Sequence, residues 1–219
     1  YSLTPYMQNE EIINFSPGPT SIPQKVMKDF LNEFNFNYKL GVTPLEISHR
    51  SPEFLKIKNS CELKFRELLR IPEEYSLIWT HGGGHGQFSG VPLNLLKDNI
   101  ESPNYLVTGT WSNRSFLEST KYCQPNKISE NEDITEIVSI DKEKLNHILK
   151  NNSSYVYLCS NETINGLEFR EDGLQIPSKD MTNNKIMVVD MFLQSLSLLY
   201  INTFNLFMLC KWLWCYCIN

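Results

Sequence analysis

The sequence has no excess of basic residues: 20 Lys and Arg stand against 25 Asp and Glu, a net charge of -5 with a pI near 5.4. A nucleic-acid binder normally shows the opposite balance, so that class is set aside. Cys61, Cys123 and Cys159 are isolated, with neither CxxC nor Cys/His metal spacing, so no metal is expected and reduced thiols are. The stretch Tyr1 to Glu10 lacks both the basic start and the apolar core of a signal peptide, which points to a cytoplasmic chain. It opens on Tyr1 rather than Met, so its start is expected to be either processed or that of a fragment, with Met7, just before the patterned sequence, as a candidate initiator. Glycine and proline, 10 and 11 of 219 residues, are not enriched, and there are no repeats. That excludes collagen-like, disordered and disulfide-dense chains. What remains is a globular protein with 41% hydrophobic residues, and a chain this long buries roughly 70% of its unfolded surface without help from metals or disulfides.

Helix-like and strand-like stretches alternate along the body. Ser21-Ile22-Pro23 opens a helix, with Val26, Met27, Phe30, Leu31 and Phe34 on one face. Ser51-Pro52-Glu53 opens a second, with Phe54, Ile57, Cys61, Phe65 and Leu68 as its expected buried stripe and Pro72 as its stop. Short apolar runs follow at 77–79, 105–107, 137–140, 155–158 and 186–189, each bounded by Gly, Asn, Asp or Ser. Near-continuous apolar strands separated by helices predict an α/β fold, a mainly parallel sheet with helices on both faces. The acidic run Ser129 to Asp133 is expected to be an exposed turn.

The composition changes at the end. From Met191 to Asn219 there is no Asp, Glu, Gly or Pro, and Lys211 is the only full charge. Cys210, Cys215 and Cys217 fall here too. The uncharged window from Met191 to Cys210 has the length of a membrane span, but Gln194, Ser195, Ser197, Asn202, Thr203 and Asn205 interrupt it, and a span is not expected. The chain therefore divides into an N-terminal segment 1–12, a main domain 13–191 and an apolar tail 192–219.

Ligands of open parallel sheets bind at the carboxyl ends of the strands, and the candidate residues follow the apolar runs. Thr80 to Phe88 contains a glycine-rich loop, either a tight turn or a place where backbone N–H groups meet a phosphate. It has neither the Walker lysine nor the dinucleotide spacing. Asp190 either caps a helix or holds a cation or a protonated ring nitrogen. Trp111 is either core or a platform for a planar ligand. Thr163, in Ser160 to Gly166, is a turn residue on the bland reading. Arg50 is either a surface arginine or a bidentate partner for a carboxylate or phosphate.

In order along the chain, Asn14 to Pro19, Glu46 to Ser51, His81 to Phe88, Val91 to Leu95, Val107 to Ser112, Cys159 to Gly166 and Val188 to Met191 resemble the phosphoserine aminotransferases. These are class-V aminotransferases of the fold-type-I pyridoxal-phosphate group. The resemblance runs from about Ile13 to Met191, somewhat more than half of a family member. The motifs differ from those of cysteine desulfurases and alanine–glyoxylate aminotransferases, which share the fold.

The resemblance implies a large domain of that fold, truncated, and pyridoxal 5'-phosphate as cofactor. Gly84 and His85 would offer backbone contacts to its phosphate, Trp111 would stack on its ring, and Thr163 would make a polar contact. Asp190 would pair with the pyridinium nitrogen, which lets the ring act as an electron sink. Arg50, with His49 beside it, would bind anionic groups of the substrate. Pro17 stands where the family often has a small substrate-contacting residue, and that contact is not carried over. The implied reaction moves an amino group between glutamate and 3-phosphohydroxypyruvate, giving 2-oxoglutarate and phosphoserine in L-serine biosynthesis. The family forms homodimers.

One departure bears on activity. The family places its Schiff-base lysine in a Gln-Lys-Asn sequence after the aspartate strand, whereas Lys211 sits in Leu209-Cys210-Lys211-Trp212-Leu213. Phe192 and Leu193 replace the small residues that follow the aspartate strand in the family. The expectation is a tail misread by a frame shift or retained intron, no small C-terminal domain, and a chain with little or no transaminase activity. The alternative is a non-catalytic chain that binds the cofactor or a full-length partner subunit.

Overall fold

The computed structural model describes residues 22–36, 46–69, 71, 73, 75–80, 83–96, 102–128, 153–168, 186–191, 206–210 and 213–217. Structural statements concern these residues. The chain forms two compact units, Tyr1–Cys61 and Glu62–Asn219.

In the first unit, α1 spans Gln24–Phe36. Met27 N–H reaches Pro23 O at 3.1 Å, so proline sits at the helix start, where its missing N–H costs nothing. The apolar positions Val26, Met27, Phe30 and Leu31 are exposed. α2, Pro52–Leu69, begins at the expected signal: Ser51 Oγ accepts the Phe54 N–H at 3.2 Å, and Pro52 occupies the first turn.

The expected buried stripe of α2 needs correction. Ile57 and Leu68 are exposed, whereas Leu69 is buried and Phe54, Lys58, Cys61, Glu62 and Phe65 are half-buried. The covered face runs one position further around the helix. Adjacent Leu68 and Leu69 fit the helical period almost equally well, and packing selects the second. In the second unit, the Arg66 guanidinium donates to Glu62 Oε1 and to Tyr75 O, tying the end of α2 to the first strand.

The second unit is built on a seven-stranded sheet in the order β1-β9-β8-β7-β4-β2-β3. The strands are β1 Tyr75–Ile78, β2 Asn104–Leu106, β3 Asn126–Ile128, β4 Tyr155–Cys159, β7 Ile186–Asp190, β8 Leu206–Cys210 and β9 Leu213–Cys217. β5 (Asn161–Glu162) and β6 (Leu167–Glu168) form a separate antiparallel hairpin. β3, β2, β4, β7 and β8 run parallel, and β9 is antiparallel to both of its neighbours, β8 and β1. The mainly parallel sheet read from the apolar runs is present. β3 is a polar strand at the sheet edge that the runs did not indicate, and β8 and β9 bring 206–210 and 213–217 into the same sheet. The expected run at 137–140, the acidic turn at 129–133, Pro72 and Lys211 lie outside the described residues.

Two helices pack on the sheet: α3, Gly83–Leu95, follows β1, and α4, Thr110–Ser119, follows β2. Strand alternation sorts β4 into two faces. Tyr155 and Tyr157 join Tyr105, Val188, Phe88, Val91 and Leu95 in one core cluster. Val156 and Leu158 point the other way and are also buried, as are Met187 and Val189. Both faces of these central strands are covered, as their unbroken apolar sequences require. Among the described residues no helix is long and apolar enough to cross a membrane.

Candidate cofactor site

The register of β4 on β7 pairs Cys159 with Asp190 at the carboxyl ends of both strands. Alternation along β7 puts Asp190 on the same face as Val188, the face that meets the α3–α4 core cluster. It is a buried carboxylate, 4% exposed. The Ser160 N–H and Oγ donate to its main-chain oxygen at 2.8 and 2.9 Å, and the Tyr157 hydroxyl donates to Oδ2 at 2.9 Å. Burying an ionised carboxylate is costly unless something positive or hydrogen-bonding meets it. The side on which a ligand can do so is a cleft lined by Gly84, His85, Phe88, Trp111, Cys159, Asn161 and Asp190.

Two helices point their N-termini toward this end of the sheet, and they differ in what occupies them. At α4, the Thr110 N–H donates to Asn165 Oδ1 at 2.9 Å. The Trp111 and Ser112 N–H groups donate to Glu162 Oε2 and Oε1 at 2.7 and 2.9 Å. Ser112 Oγ turns back to accept from the Thr108 and Gly109 N–H groups. The positive end of α4 is therefore taken by a buried protein carboxylate. At α3, Gly84 and His85 border the cleft within the first turn, where N–H groups have no intrahelical acceptor. Gly83 begins this helix with φ +57°, a conformation that glycine adopts freely. Gln87 Nε2 donates to Thr80 Oγ1 at 2.8 Å, anchoring the first turn of α3 to the segment that leaves β1.

Trp111 is fixed on its edge and one face. Its indole N–H donates to Thr163 Oγ1 at 3.0 Å, and the Arg114 guanidinium lies 4.9 Å from the ring centroid. Thr163 is thus a turn residue and also a partner of the candidate platform. Cys159 is not an activated nucleophile. Burial, followed by the charges of Asp190 and Glu162, pushes its thiol well above the ordinary range, so it stays protonated.

Gly84, His85, Trp111 and Asp190 come together around one cleft, with Thr163 attached through Trp111. Arg50 and His49 lie in the exposed turn before α2, in the first unit, and the Arg50 N–H donates to Ser48 Oγ at 3.2 Å. His81 and Gly82 of the glycine loop lie outside the described residues. Sequence reasoning assigned no role to Glu162, Asn165, Tyr157, Asn161 or Phe88. Glu162 and Asn165 act on backbone about 50 residues away, and no local capping pattern reports such a contact.

Residues 12–202 match the family described as Aminotransferase class-V. The chain belongs to the class-V aminotransferases. It is 38% identical over 182 residues to the phosphoserine aminotransferase of Buchnera aphidicola from Acyrthosiphon pisum (strain Tuc7), a match covering 82% of this chain and 47% of that protein. It is 36% identical to phosphoserine aminotransferase 2, chloroplastic, of Arabidopsis thaliana, over 80% of this chain and 42% of the relative. Among solved structures, the phosphoserine aminotransferase of Bacillus circulans subsp. alkalophilus superposes with a TM-score of 0.75 at 26% identity, covering 92% of this chain and 55% of that one. The PLP-bound phosphoserine aminotransferase of Trichomonas vaginalis gives 0.67 at 27% identity, covering 81% and 47%. The chain spans about half the length of the relatives it matches.

Proposed function

We propose that this chain is the cofactor-binding part of a phosphoserine aminotransferase, moving an amino group between glutamate and 3-phosphohydroxypyruvate with pyridoxal 5'-phosphate. The observation that carries the reading is Asp190: a buried carboxylate at a strand end, bordering the same cleft as Trp111 and the first turn of α3. The donor set suits a flat, anionic, nitrogen-protonated ligand. The Gly84 and His85 N–H groups would receive the phosphate at the first turn of α3, where the helix N-terminus borders the cleft. Trp111 would cover one ring face, since Arg114 already lies against the tryptophan. Thr163 Oγ1 accepts from the indole and keeps its own hydrogen to donate. Asp190 would hold the proton on the ring nitrogen, and when bound the protonated ring supplies an electron sink for carbanion chemistry. His49 and Arg50 are the proposed grip on the substrate's anionic groups, and the working assembly is a homodimer.

A second reading is favoured by one observation: no Gln-Lys-Asn sequence follows the aspartate strand, and Lys211 has different neighbours. On that reading the chain binds the cofactor, or a full-length subunit, without turning over. One preparation separates the two. Protein incubated with pyridoxal phosphate is reduced with borohydride and the adduct mapped by mass spectrometry, beside an assay with phosphoserine and 2-oxoglutarate. An adduct at Lys211 with turnover supports the enzyme; saturable binding without adduct or turnover supports the second reading. No cofactor binding overturns the enzyme and the cofactor-binding form of the second reading, and absence of co-purification with a full-length subunit overturns its other form.

A further inference from the structure

Tyr157 lies two residues before Cys159 on β4, and its hydroxyl crosses to β7 to meet Asp190 Oδ2 at 2.9 Å, with both residues buried. The two ends of Asp190 are held by different groups: Ser160 fixes the main-chain oxygen, while the Tyr157 hydroxyl holds a carboxylate oxygen. Tyr157 is itself clamped. Tyr105 stacks on its ring with centroids 4.9 Å apart and planes 23° from parallel, and Tyr105 in turn shares a 2.7 Å hydrogen bond with the Tyr155 hydroxyl. A rigid ring with no exposed surface leaves its hydroxyl little freedom of position.

We propose that Tyr157 is a positioning residue of the cofactor site: its hydroxyl orients the Asp190 carboxylate, and through it the grip on a protonated ring nitrogen. The proposal rests on the cofactor reading above. Tyr157 touches the aspartate and acts on the ligand only through it. Burial, and after it the Asp190 charge, push the Tyr157 hydroxyl well above its ordinary range, so it remains a neutral donor at working pH. A donor on a buried carboxylate is a charge-assisted hydrogen bond, among the stronger kinds a protein makes.

The test compares two ligands by equilibrium dialysis and visible circular dichroism: pyridoxal phosphate, and its 1-deaza analogue in which a C–H replaces the ring nitrogen. Tyr157→Phe is expected to weaken pyridoxal phosphate binding by about tenfold or more and to leave the deaza analogue unchanged. 4-Aminophenylalanine at 157 keeps the ring and a donor, and is expected to restore the preference for the nitrogen-containing ligand. Equal losses for both ligands, or no loss for either, overturn the proposal. If the Phe variant does not fold, a folded aminophenylalanine protein without the preference overturns it equally. Unmodified protein that binds neither ligand overturns the cofactor reading itself, and the proposal with it.

Discussion

The Glu162 carboxylate lies against the backbone of Gly109 while receiving the Trp111 N–H at 2.7 Å and the Ser112 N–H at 2.9 Å. A Cβ built at Gly109 would stand 2.6 Å from Glu162 Cγ and Cδ, which no side chain tolerates. The glycine is therefore needed for close approach, since its φ of -173° is open to any residue.

Gly109→Ala is expected to destabilise the fold by about 2–4 kcal/mol, because the displaced carboxylate loses two charge-assisted bonds and stays buried. In a Glu162→Ala background the same substitution should cost less than about 1 kcal/mol, since the clash and the bonds are both gone. Urea unfolding of the four proteins in this cycle measures the coupling. Strict additivity would show that the contact contributes nothing.

Trp111 and Thr163 are expected to act on the cofactor as a unit. Trp111→Phe keeps a flat ring but loses the N–H, and Thr163→Val removes its acceptor. Each should weaken pyridoxal phosphate binding by about 2- to 10-fold, the range of a single stacking contact or hydrogen bond. The double variant should be hardly weaker than either single one. Dissociation constants from titration settle the comparison, and a fully multiplicative loss would separate the two residues.

The parts of this architecture legible in the sequence are those governed by local pattern. β1, β2, β4 and β7 lie at or within a residue or two of the apolar runs, and α2 starts at Ser51-Pro52 because capping is a short-range signal. Asp190 and Trp111 were legible as polar or aromatic residues following buried strands. β3 was not, because Asn126-Lys127-Ile128 is a sheet edge with little apolar content. Glu162 carries no local signal, since its partners are 51 and 50 positions away. Tyr157 stands in the sequence only as one member of the apolar run 155–158, and only the register of β4 on β7 brings its hydroxyl to Asp190.

Cys159 should resist alkylation in the folded protein near neutral pH. Burial raises its pKa most, followed by the negative charges of Asp190 and Glu162. Asp190→Asn removes one of those charges, so the thiol pKa should fall and the iodoacetamide rate at mildly alkaline pH should rise by about 2- to 5-fold, a modest gain because desolvation is unchanged. Peptide mapping of the labelled site reads the rate. A slower reaction in the variant would contradict the geometry around Asp190.

The buried tyrosines give the fold an alkaline limit. Burial pushes Tyr105 up from 10.0 to about 12 despite its bond to Tyr155, and Tyr155 and Tyr157 are raised by burial as well. In the unfolded chain each ionises near 10, while in the folded chain each stays neutral. Protons are therefore bound more tightly in the folded state, and the stability present below pH 10 is lost as the pH rises toward and through the folded values. Tyr105 alone should remove about 2–3 kcal/mol by pH 12. Tyr105→Phe removes that contribution, so its stability should fall less steeply over the same interval even if it starts lower at neutral pH. Denaturant midpoints measured at steps from pH 8 to pH 12 give both slopes, and parallel slopes would mean that Tyr105 titrates as though exposed.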